Sequence, residues 1–594
     1  MRGRYRRLFR GPAWAALVCA IAGCEGSGSD PWLDLDDTAD IGLTGGGSYE
    51  GPLETPPLFE KISGISAQVE LHKNANPPGN SRGEYWTPVG MWGADGDMDQ
   101  GGGYKSSLMW DCLICDGWNP EVFDLVLDIV DQQARESVPF EGDGPTVLYL
   151  SADDSNSQAS PVLIRSMIDA WEMVPPGRIR VWEILNYLHF DYPAPSPEPA
   201  APAISVHQQL RPFDIEEGIY ALQIGIASKP MTTDRRRPLS LTLSLDLSGS
   251  MSGVPIMLLR YVCTAIASQL REGDLVSIVT WNSSQAIVLD SLVVSGPDDP
   301  ELLETIWSLA TGGSTDLHGG LVTSYALAED NFIEDGLNRV VLISDGGANT
   351  GVTDENVIAE AAAGAESEAV YLVGVGVGSS ATGCNDNLMD TVTDLGKGAS
   401  LFVDSFAEAY RMFGDEERFL SNMELAALDV QVEITLPPTF EMYEFFGEEY
   451  SEDPEEVEPQ HVAPNESLVI QQMIRTSTPY EVDYEDTVIA LNVTYTDAQT
   501  GATGETYLTS SFMEMLNSPC EELRKGDGAV VFAQALGKIY EYLEDGDLLA
   551  ASAECAWATN IVEESAEVLD DEELVGMAVL LNQYCVAYAP FPWL

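Results

Sequence analysis

The sequence predicts a multidomain protein built around an α/β, doubly wound, mainly parallel β-sheet. Residues 236–415 alternate short apolar runs with segments of helical periodicity, which is typical of a parallel sheet covered on both faces. From 424 to 512 apolar and polar residues alternate between turn-rich stretches, which predicts an antiparallel β-sandwich-like module. From 520 to 594 apolar residues recur at helical spacing and predict a helical C-terminal module.

The N-terminus has the features of an export signal. Residues 1–23 hold five arginines ahead of an apolar run that is too short to span a bilayer. The following Ile-Ala-Gly-Cys24 resembles the processing box of bacterial lipoproteins, which implies cleavage before Cys24 and lipidation there. An ordinary secretory signal with an incidental cysteine is the alternative. Since no later stretch is apolar for long enough to form a membrane helix, we expect a lipid-anchored protein of the bacterial cell envelope, at the outer membrane or cell surface.

The charge balance excludes one class of partner. The chain has 96 acidic residues against 28 Lys and Arg, for a formal net charge of −68. No basic stripe exists to neutralise phosphates, so we expect no nucleic acid partner. The acidic residues are scattered, which favours a solvated surface.

Two segments separate the signal from the first predicted module. Residues 24–60 are acidic, rich in Gly and Pro and without periodicity, which predicts a flexible tether. Residues 61–144 predict a loop-rich module with several tryptophans, which could line a binding face or pack internally. Cys112 and Cys115 form a CxxC that could be redox-active or bind zinc, but no second CxxC exists to complete a zinc site. In an exported protein we expect them to form a structural disulfide.

Residues 145–225 predict a further module ahead of the central sheet. They contain a strand at 146–151, a helix at 161–173, a Pro-rich turn, and a second helix that ends in Asn186-Tyr187. Phe190-Asp-Tyr-Pro then leads into a Pro/Ala-rich connection.

The central region reads as an ordered series of strands and helices. Strands are predicted at 239–246, 275–281, 286–292, 339–344, 370–377 and 401–404, and helices at 255–270, 300–310, 317–331, 354–365, 385–395 and 406–413. Asp299 is the expected N-cap of the helix at 300–310, with Pro300 at its first position.

Oxygen-bearing side chains follow several of these elements. Asp246, Ser248 and Ser250 leave the end of the first strand as D-x-S-x-S, Thr315 precedes a helix, and Asp345 follows a later strand. Taken alone, D-x-S-x-S also fits a serine-rich turn capped by Asp246. Because ligands bind beyond the carboxyl ends of parallel strands, and hard cations prefer oxygen ligands, the set predicts a divalent-metal site.

These residues, in this order and at these separations, resemble the metal-ion-dependent adhesion site of the von Willebrand factor A domain family, which has a Rossmann-like fold. The resemblance implies that the three hydroxyls bind the metal directly or through water and the two carboxylates largely through water. It implies Mg2+ as the cation, with Mn2+ or Ca2+ as alternatives, and a carboxylate of a partner that completes the coordination. Residues 145–225 resemble the extra N-terminal module of a bacterial subfamily of exported A-domain proteins.

The sequence therefore predicts a binding protein and not an enzyme. Its five histidines are scattered, and no HExxH, GxSxG or phosphate loop is present. We expect a partner from the envelope or the extracellular space that presents an Asp or Glu to the metal, with the membrane contacted by the lipid anchor only. One alternative is an envelope enzyme or redox protein whose active centre lies in residues 61–144. Another is that an acidic residue of this chain occupies the metal site.

Overall fold

The computed structural model describes residues 144–198, 200–346, 370–378, 392 and 399–589, and all of them belong to one compact unit. The predicted signal, the tether, nearly all of the Trp/Cys module and the predicted helix at 354–365 lie outside the described residues, and of the helix predicted at 385–395 only residue 392 is described. Cys24, Cys112 and Cys115 lie outside them as well. Among the described residues, no helix combines the length and the apolarity needed to cross a bilayer.

Within the described residues, three strands and two helices precede the central sheet. They are β1 (Thr146–Ser151), α1 (Ala159–Asp169), α2 (Val181–Tyr187), β2 (Ile204–Asp214) and β3 (Ile219–Ser228). The segment after α2 is tied down by side chains: the amide of Asn186 donates to the carbonyl of Ala152 at 3.1 Å, and the Tyr192 hydroxyl donates to Gln223 at 2.6 Å. The Asn-Tyr and Phe-Asp-Tyr-Pro residues of the sequence thus fix α2 against β1 and β3.

The central sheet has six strands in the order β6-β5-β4-β7-β8-β9. They are β4 (Leu239–Asp246), β5 (Leu275–Trp281), β6 (Gln285–Val293), β7 (Leu337–Ser344), β8 (Val370–Val377) and β9 (Ser400–Val403). The described helices around it are α3 (Val254–Ser268), α4 (Pro300–Ser308), α5 (Leu317–Asp330), α6 (Phe406–Phe413) and α7 (Glu416–Met423). All neighbouring strands are parallel except the edge strand β6, which is antiparallel to β5. This confirms the predicted doubly wound, mainly parallel sheet; α7 was not predicted.

The central strand β4 shows why this sequence forms a sheet covered on both faces. Its four leucines pack in one core with α3, α6 and α7. The residues between them are hydroxyls on the opposite face, where Ser240 donates to the carbonyl of Asn331 at 2.9 Å and Ser244 accepts from the indole of Trp281 at 3.0 Å. Every residue of β4 is buried, and both of these hydroxyls are hydrogen-bonded, so their burial is compensated.

A β-sandwich follows in sequence. Its further strands are β10 (Ala427–Leu436), β11 (Phe440–Phe445), β12 (Glu449–Ser451), β13 (Gln460–Val462), β14 (Ser467–Thr476), β15 (Val488–Asp497) and β16 (Thr503–Ser511). One sheet has the order β12-β1-β10-β15-β16, with β13 also on β10, and the other has the order β11-β14-β3-β2.

The sandwich corrects the predicted division into separate modules at 145–225 and 424–512. β1 pairs antiparallel with β10, and β3 pairs antiparallel with β14, so both segments contribute to both sheets. The physical reason is the shared core: Leu150 and Ile224 from the first segment are buried against Val432 and Ile470 from the second. The central α/β domain is thus inserted between two parts of one sandwich.

The C-terminal region is helical, as predicted. It contains α8 (Phe512–Leu516), α9 (Glu521–Glu544), α10 (Leu548–Leu569) and α11 (Glu572–Tyr588). A disulfide joins Cys555 of α10 to Cys585 of α11. Residues of α1 and α2 share one core with α9, α10 and α11, so these helices pack on the segment that precedes the central sheet, whereas α8 packs in the core of the sandwich. Cys263, in α3, is a buried free thiol.

A charged cluster connects the central domain to α1. The guanidinium of Arg165 donates to the two oxygens of Asp404 at 3.1 and 2.8 Å and to Glu408 at 2.9 Å. Arg411 donates to the other oxygen of Glu408 at 2.8 Å. Burial alone raises the pKa of Glu408, but the charges of Arg411 and Arg165 outweigh it and hold this pKa below its ordinary value. The cluster therefore fixes α6 to α1 through ionised groups.

Candidate metal centre

Three loops meet at the carboxyl edge of the central sheet. They follow β4, precede α5 and follow β7, and together with the last residue of β4 they carry the five predicted metal-site residues. Two backbone hydrogen bonds join the first loop to the second: Gly249 N to Gly313 O at 3.0 Å, and Gly312 N to Leu247 O at 2.7 Å. The loop that holds Thr315 is thus tied directly to the D-x-S-x-S segment.

Asp246 is the last residue of β4 and is fully buried. Its Oδ1 accepts from the backbone N–H of Ser248 at 2.8 Å, and its Oδ2 accepts from the hydroxyl of Ser344 at 2.8 Å. Burial raises the pKa of this carboxyl to about 6; the bonds from Ser248 and Ser344 oppose the shift, and the charge of Asp345 adds to it. A nearby cation would favour the ionised form of such a carboxylate.

Two of the predicted hydroxyl ligands are in direct contact, and the third is buried in the neighbouring loop. The Oγ atoms of Ser248 and Ser250 lie 2.9 Å apart, although Ser248 is buried and Ser250 is exposed. Thr315 is almost fully buried. Its position is set by the next residue, because Asp316 caps α5 by accepting from Gly319 N at 3.1 Å and also accepts from the amide of Gln285 at 2.7 Å.

Asp345 has an unsatisfied oxygen. Its carboxyl is buried, and Oδ1 has no hydrogen-bond partner among the described residues. The residues on either side hold the backbone here: the hydroxyl of Ser344 accepts from Gly346 N at 3.0 Å, and Gly346 has a φ of 79°, which a glycine tolerates. A buried carboxylate oxygen without a partner is costly unless a cation or a water meets it.

The donor set fits a small hard cation. Four of the five residues are linked: Asp246 accepts from Ser248 N, the hydroxyl of Ser248 contacts that of Ser250, and the charge of Asp345 acts on Asp246. The backbone bonds between the loops bring the loop of Thr315 next to them. Within the described ranges there is no group of three or more His, Cys, Asp and Glu side chains suited to hold a metal. Hydroxyl oxygens would therefore have to supply several of the ligands of a metal at this edge. Mg2+ suits such a site, because it takes oxygen ligands and keeps several waters in its octahedral shell.

The sequence reasoning missed a loop that completes this surface. Asn282 to Ser284 follow β5, and the Oγ of Ser283 lies 2.9 Å from that of Ser314, next to Thr315. In a second pair, the Oγ of Ser252, in the loop after β4, lies 2.8 Å from the Oγ1 of Thr311, in the loop before α5. We call residues 247–253, 282–284 and 309–315 the hydroxyl rim. None of them is charged, although the chain has 96 acidic residues.

The same D-x-S-x-S spacing occurs at a second place, after β1, and there the structure uses it differently. Asp153 Oδ1 accepts from the hydroxyl of Ser157 at 3.2 Å, and the hydroxyl of Ser155 donates to Glu466 at 3.1 Å. This loop lies against the sandwich, where Ala463 N donates to Ser155 Oγ at 2.9 Å. Spacing alone thus does not define the candidate site; the Thr315 and Asp345 loops are also needed.

Comparisons with known proteins give the following relatives. No family model matches the chain. The uncharacterized protein YfbK of Escherichia coli is 30% identical over 296 residues, which are 48% of this chain and 49% of the relative. The uncharacterized protein sll0103 of Synechocystis is 25% identical over 213 residues, 36% of this chain and 49% of the relative. The chain thus spans about half the length of the curated relatives it matches. Among solved structures, a von Willebrand factor type A protein from Catenulispora acidiphila aligns with a TM-score of 0.43 and 14% identity, covering 68% of this chain and 99% of that one.

Proposed function

We propose that the chain is a von Willebrand factor A domain protein, whose sheet edge holds a divalent cation and binds a protein partner through it. Domains of this family point to a role in protein interaction. We further propose that the chain is a lipoprotein of the bacterial cell envelope, anchored by Cys24. It would act by binding and not by catalysis. Its proposed partner is an envelope or extracellular protein that presents an Asp or Glu side chain.

The observation that carries the proposal is the unpaired oxygen of Asp345 beside the buried carboxyl of Asp246. Two acidic groups that share a buried position repel each other, which destabilises the edge when both are ionised. The hydroxyls of Ser248 and Ser250, in the loop whose backbone donates to Asp246, can act as neutral ligands. A bound Mg2+ would supply the compensating charge and retain an open coordination position.

Each residue has a definite part in this arrangement. Asp246 and Asp345 supply negative charge, Asp246 held in place by Ser344, and Ser248, Ser250 and Thr315 supply neutral oxygens. The backbone bonds between the loops keep these oxygens at one place before any partner arrives, which limits the cost of ordering on binding.

The hydroxyl rim explains how a very acidic protein can accept an acidic partner. Charges separated by more than about 8 Å are largely screened at physiological salt, so the groups nearest the docking position dominate. The rim adds no acidic side chain there. An incoming Asp or Glu therefore meets hydroxyls and the cation first, and remote carboxylates only slow its approach at low salt.

A capture experiment from envelope extract tests the binding function. The immobilised chain should retain a partner in Mg2+, release it in chelator, and lose it in the Thr315→Ala variant. Thr323→Ala is the matched control, because the Thr323 hydroxyl donates to Gly319 O within α5 and lies outside the rim. Capture that survives both chelator and Thr315→Ala would contradict the proposal.

Fractionation tests the anchor separately. The native chain should remain with the membranes, because several acyl chains hold a protein far more firmly than one. Cys24→Ser should release it or leave the signal uncleaved. An unchanged distribution would count against lipidation without affecting the metal proposal.

A further inference from the structure

The hairpin that joins β5 to β6 is bonded to the loop of Thr315. The Oγ of Ser283 accepts from the backbone N–H of Ser314 at 2.9 Å, and it also lies 2.9 Å from the Oγ of Ser314. On the other side of Thr315, the backbone N–H of Asp316 donates to the carbonyl of Asn282 at 2.8 Å. The hairpin therefore holds both chain neighbours of Thr315 through their main chain.

A side-chain bond adds to this contact. Gln285, the first residue of β6, donates from its amide to Asp316 Oδ2 at 2.7 Å. The other carboxylate oxygen of Asp316 caps α5, where it accepts from Gly319 N at 3.1 Å. Gln285 packs closely at this point, since a Cβ on Gly319 would lie 2.2 Å from its Nε2. The hairpin and the start of α5 thus form one hydrogen-bonded unit around Thr315.

The loop of Thr315 is also fixed to the loop after β4. Gly312 and Gly313 are bonded to that loop through their backbone. In the same loop, the N–H of Leu247 donates to the carbonyl of Trp281, the last residue of β5, at 2.8 Å. Thr315 itself is 1% exposed, so its side chain has little room to turn. Its hydroxyl is therefore held in place relative to the D-x-S-x-S segment before any ion binds.

A ligand that is held in place discriminates between cations of different size. Oxygen ligands lie about 2.0–2.1 Å from Mg2+ and about 2.3–2.6 Å from Ca2+, which also takes more ligands in a more flexible shell. To admit the larger ion, the loop of Thr315 would have to shift by roughly 0.4 Å. The bonds of 2.7–2.9 Å to the hairpin resist such a shift, because it would compress or stretch them.

We propose that the β5–β6 hairpin determines the cation selectivity of the candidate metal centre, with Ser283 and Gln285 as positioning residues. By holding Thr315 in place, the hairpin favours Mg2+ over Ca2+. Neither Ser283 nor Gln285 belongs to the five predicted ligands; each acts through its bond to Ser314 or Asp316. This inference rests on the proposed metal centre and concerns which ion that centre accepts.

A hairpin with a purely structural role would give a different result. If its bonds only stabilised the central domain, their loss would leave the binding of both ions unchanged or weaken it alike. If they position Thr315, their loss should weaken Mg2+ binding more than Ca2+ binding, because the larger ion benefits from a looser loop. The ratio of the two dissociation constants therefore separates positioning from stability.

Calorimetric titration of the full chain with Mg2+ and, separately, with Ca2+ measures this ratio. The native chain should bind Mg2+ more tightly than Ca2+. Ser283→Ala should weaken Mg2+ binding about five- to tenfold, the factor that one lost hydrogen bond accounts for, and change Ca2+ binding by less than about twofold. Ser284→Ala is the matched control: it removes an exposed hydroxyl of the same loop, whereas the described bonds of Ser284 are made by its backbone.

A second variant and a second measurement make the test independent of one substitution. Gln285→Met keeps the length of the side chain but removes the amide that donates to Asp316, so it should lower the preference for Mg2+ as well. Amide hydrogen exchange without any ion should show a protected Ser314 N–H in the native chain and in Ser284→Ala. In Ser283→Ala this protection should be lost.

The outcomes distinguish this inference from the proposed function. A native chain that bound neither ion would refute the metal centre and its selectivity together. A native chain that bound Ca2+ more tightly than Mg2+ would overturn the selectivity alone. The same holds if Ser283→Ala and Gln285→Met retain the native preference, if Ser284→Ala loses it too, or if Ser314 N–H exchanges equally in the native chain and Ser283→Ala.

Discussion

Replacing Gly320 by alanine should destabilise the central domain and loosen the candidate metal centre. A Cβ at this position would lie 2.5 Å from Cγ and 2.6 Å from Cδ1 of Trp281, where ordinary contacts begin at 3.4 Å. The indole cannot withdraw easily, because it is 1% exposed and donates to Ser244 at 3.0 Å. α5 must therefore move outward by roughly 1 Å, and overpacking of this kind costs about 1–3 kcal/mol.

The displacement should reach the metal centre, since α5 begins two residues after Thr315. We expect a lower urea midpoint by tryptophan fluorescence and weaker Mg2+ binding. Gly537→Ala is the control: it lies in α9, its Cβ would meet only Ile179 at 3.7 Å, and helix propensity should stabilise it by up to about 1 kcal/mol. If Gly320→Ala proved as stable as Gly537→Ala, the proposed contact between α5 and Trp281 would be wrong.

Two further predictions concern the charged cluster between the central domain and α1, and the disulfide of the helical region. Glu408→Gln should cost about 1.5–3 kcal/mol at neutral pH through its lost charged hydrogen bonds. Because the pKa of Glu408 is held below its ordinary 4.5, this stabilisation is present above pH 4.5 and disappears as the pH falls through the lower folded-state pKa. The unfolding free energies of the native protein and Glu408→Gln should therefore converge in acid. Cys585→Ser opens the disulfide to Cys555, across 30 residues, and should lower stability by about 2–4 kcal/mol in urea denaturation. A reducing agent should remove the difference in stability between the native protein and this variant. A Glu408→Gln difference that persists at low pH, or a Cys585→Ser variant as stable as the native chain, would contradict the respective contact.

The central sheet could be predicted because its signals are local. The alternating leucines and hydroxyls of β4 indicate a strand from 239 to 246, and the structure has these bounds. Asp246, Ser248 and Ser250 follow immediately, so their approach to one another requires no knowledge of distant parts of the chain. The same holds for the N-cap Asp299, whose side chain accepts from Glu301 N and Leu302 N as expected.

The sandwich could not be predicted as one unit because its signals are distant. β3 pairs with β14 in a register that places Gly225 opposite Val469, on the other side of the inserted central domain. Strand periodicity reveals which face of each strand is apolar but not which strand covers it. The close contact at Gly225, where an added Cβ would lie 2.2 Å from the ring of Tyr192, is likewise made by a residue outside the strand pair and has no signal in the periodicity of β3.

The rim loop was missed for a related reason. Asn282, Ser283 and Ser284 have no ligand spacing of their own, and they reach Ser314 only because β5 lies next to β4. α7 was missed because its apolar signal is short; it begins after Asp415, whose carboxylate accepts from Glu417 N and Arg418 N. An N-cap Asp followed by two glutamates was the sequence feature that could have identified it.

Calorimetric titration with Mg2+ tests the central claim most directly. The native chain should bind the ion at one site. Asp246→Ala should bind it at least about tenfold more weakly, because a charged oxygen ligand is lost. The control Asp290→Ala removes an exposed carboxylate of β6 and should bind Mg2+ as the native chain does. Equal Mg2+ uptake by the native chain and Asp246→Ala would contradict the assignment of this sheet edge as a metal centre.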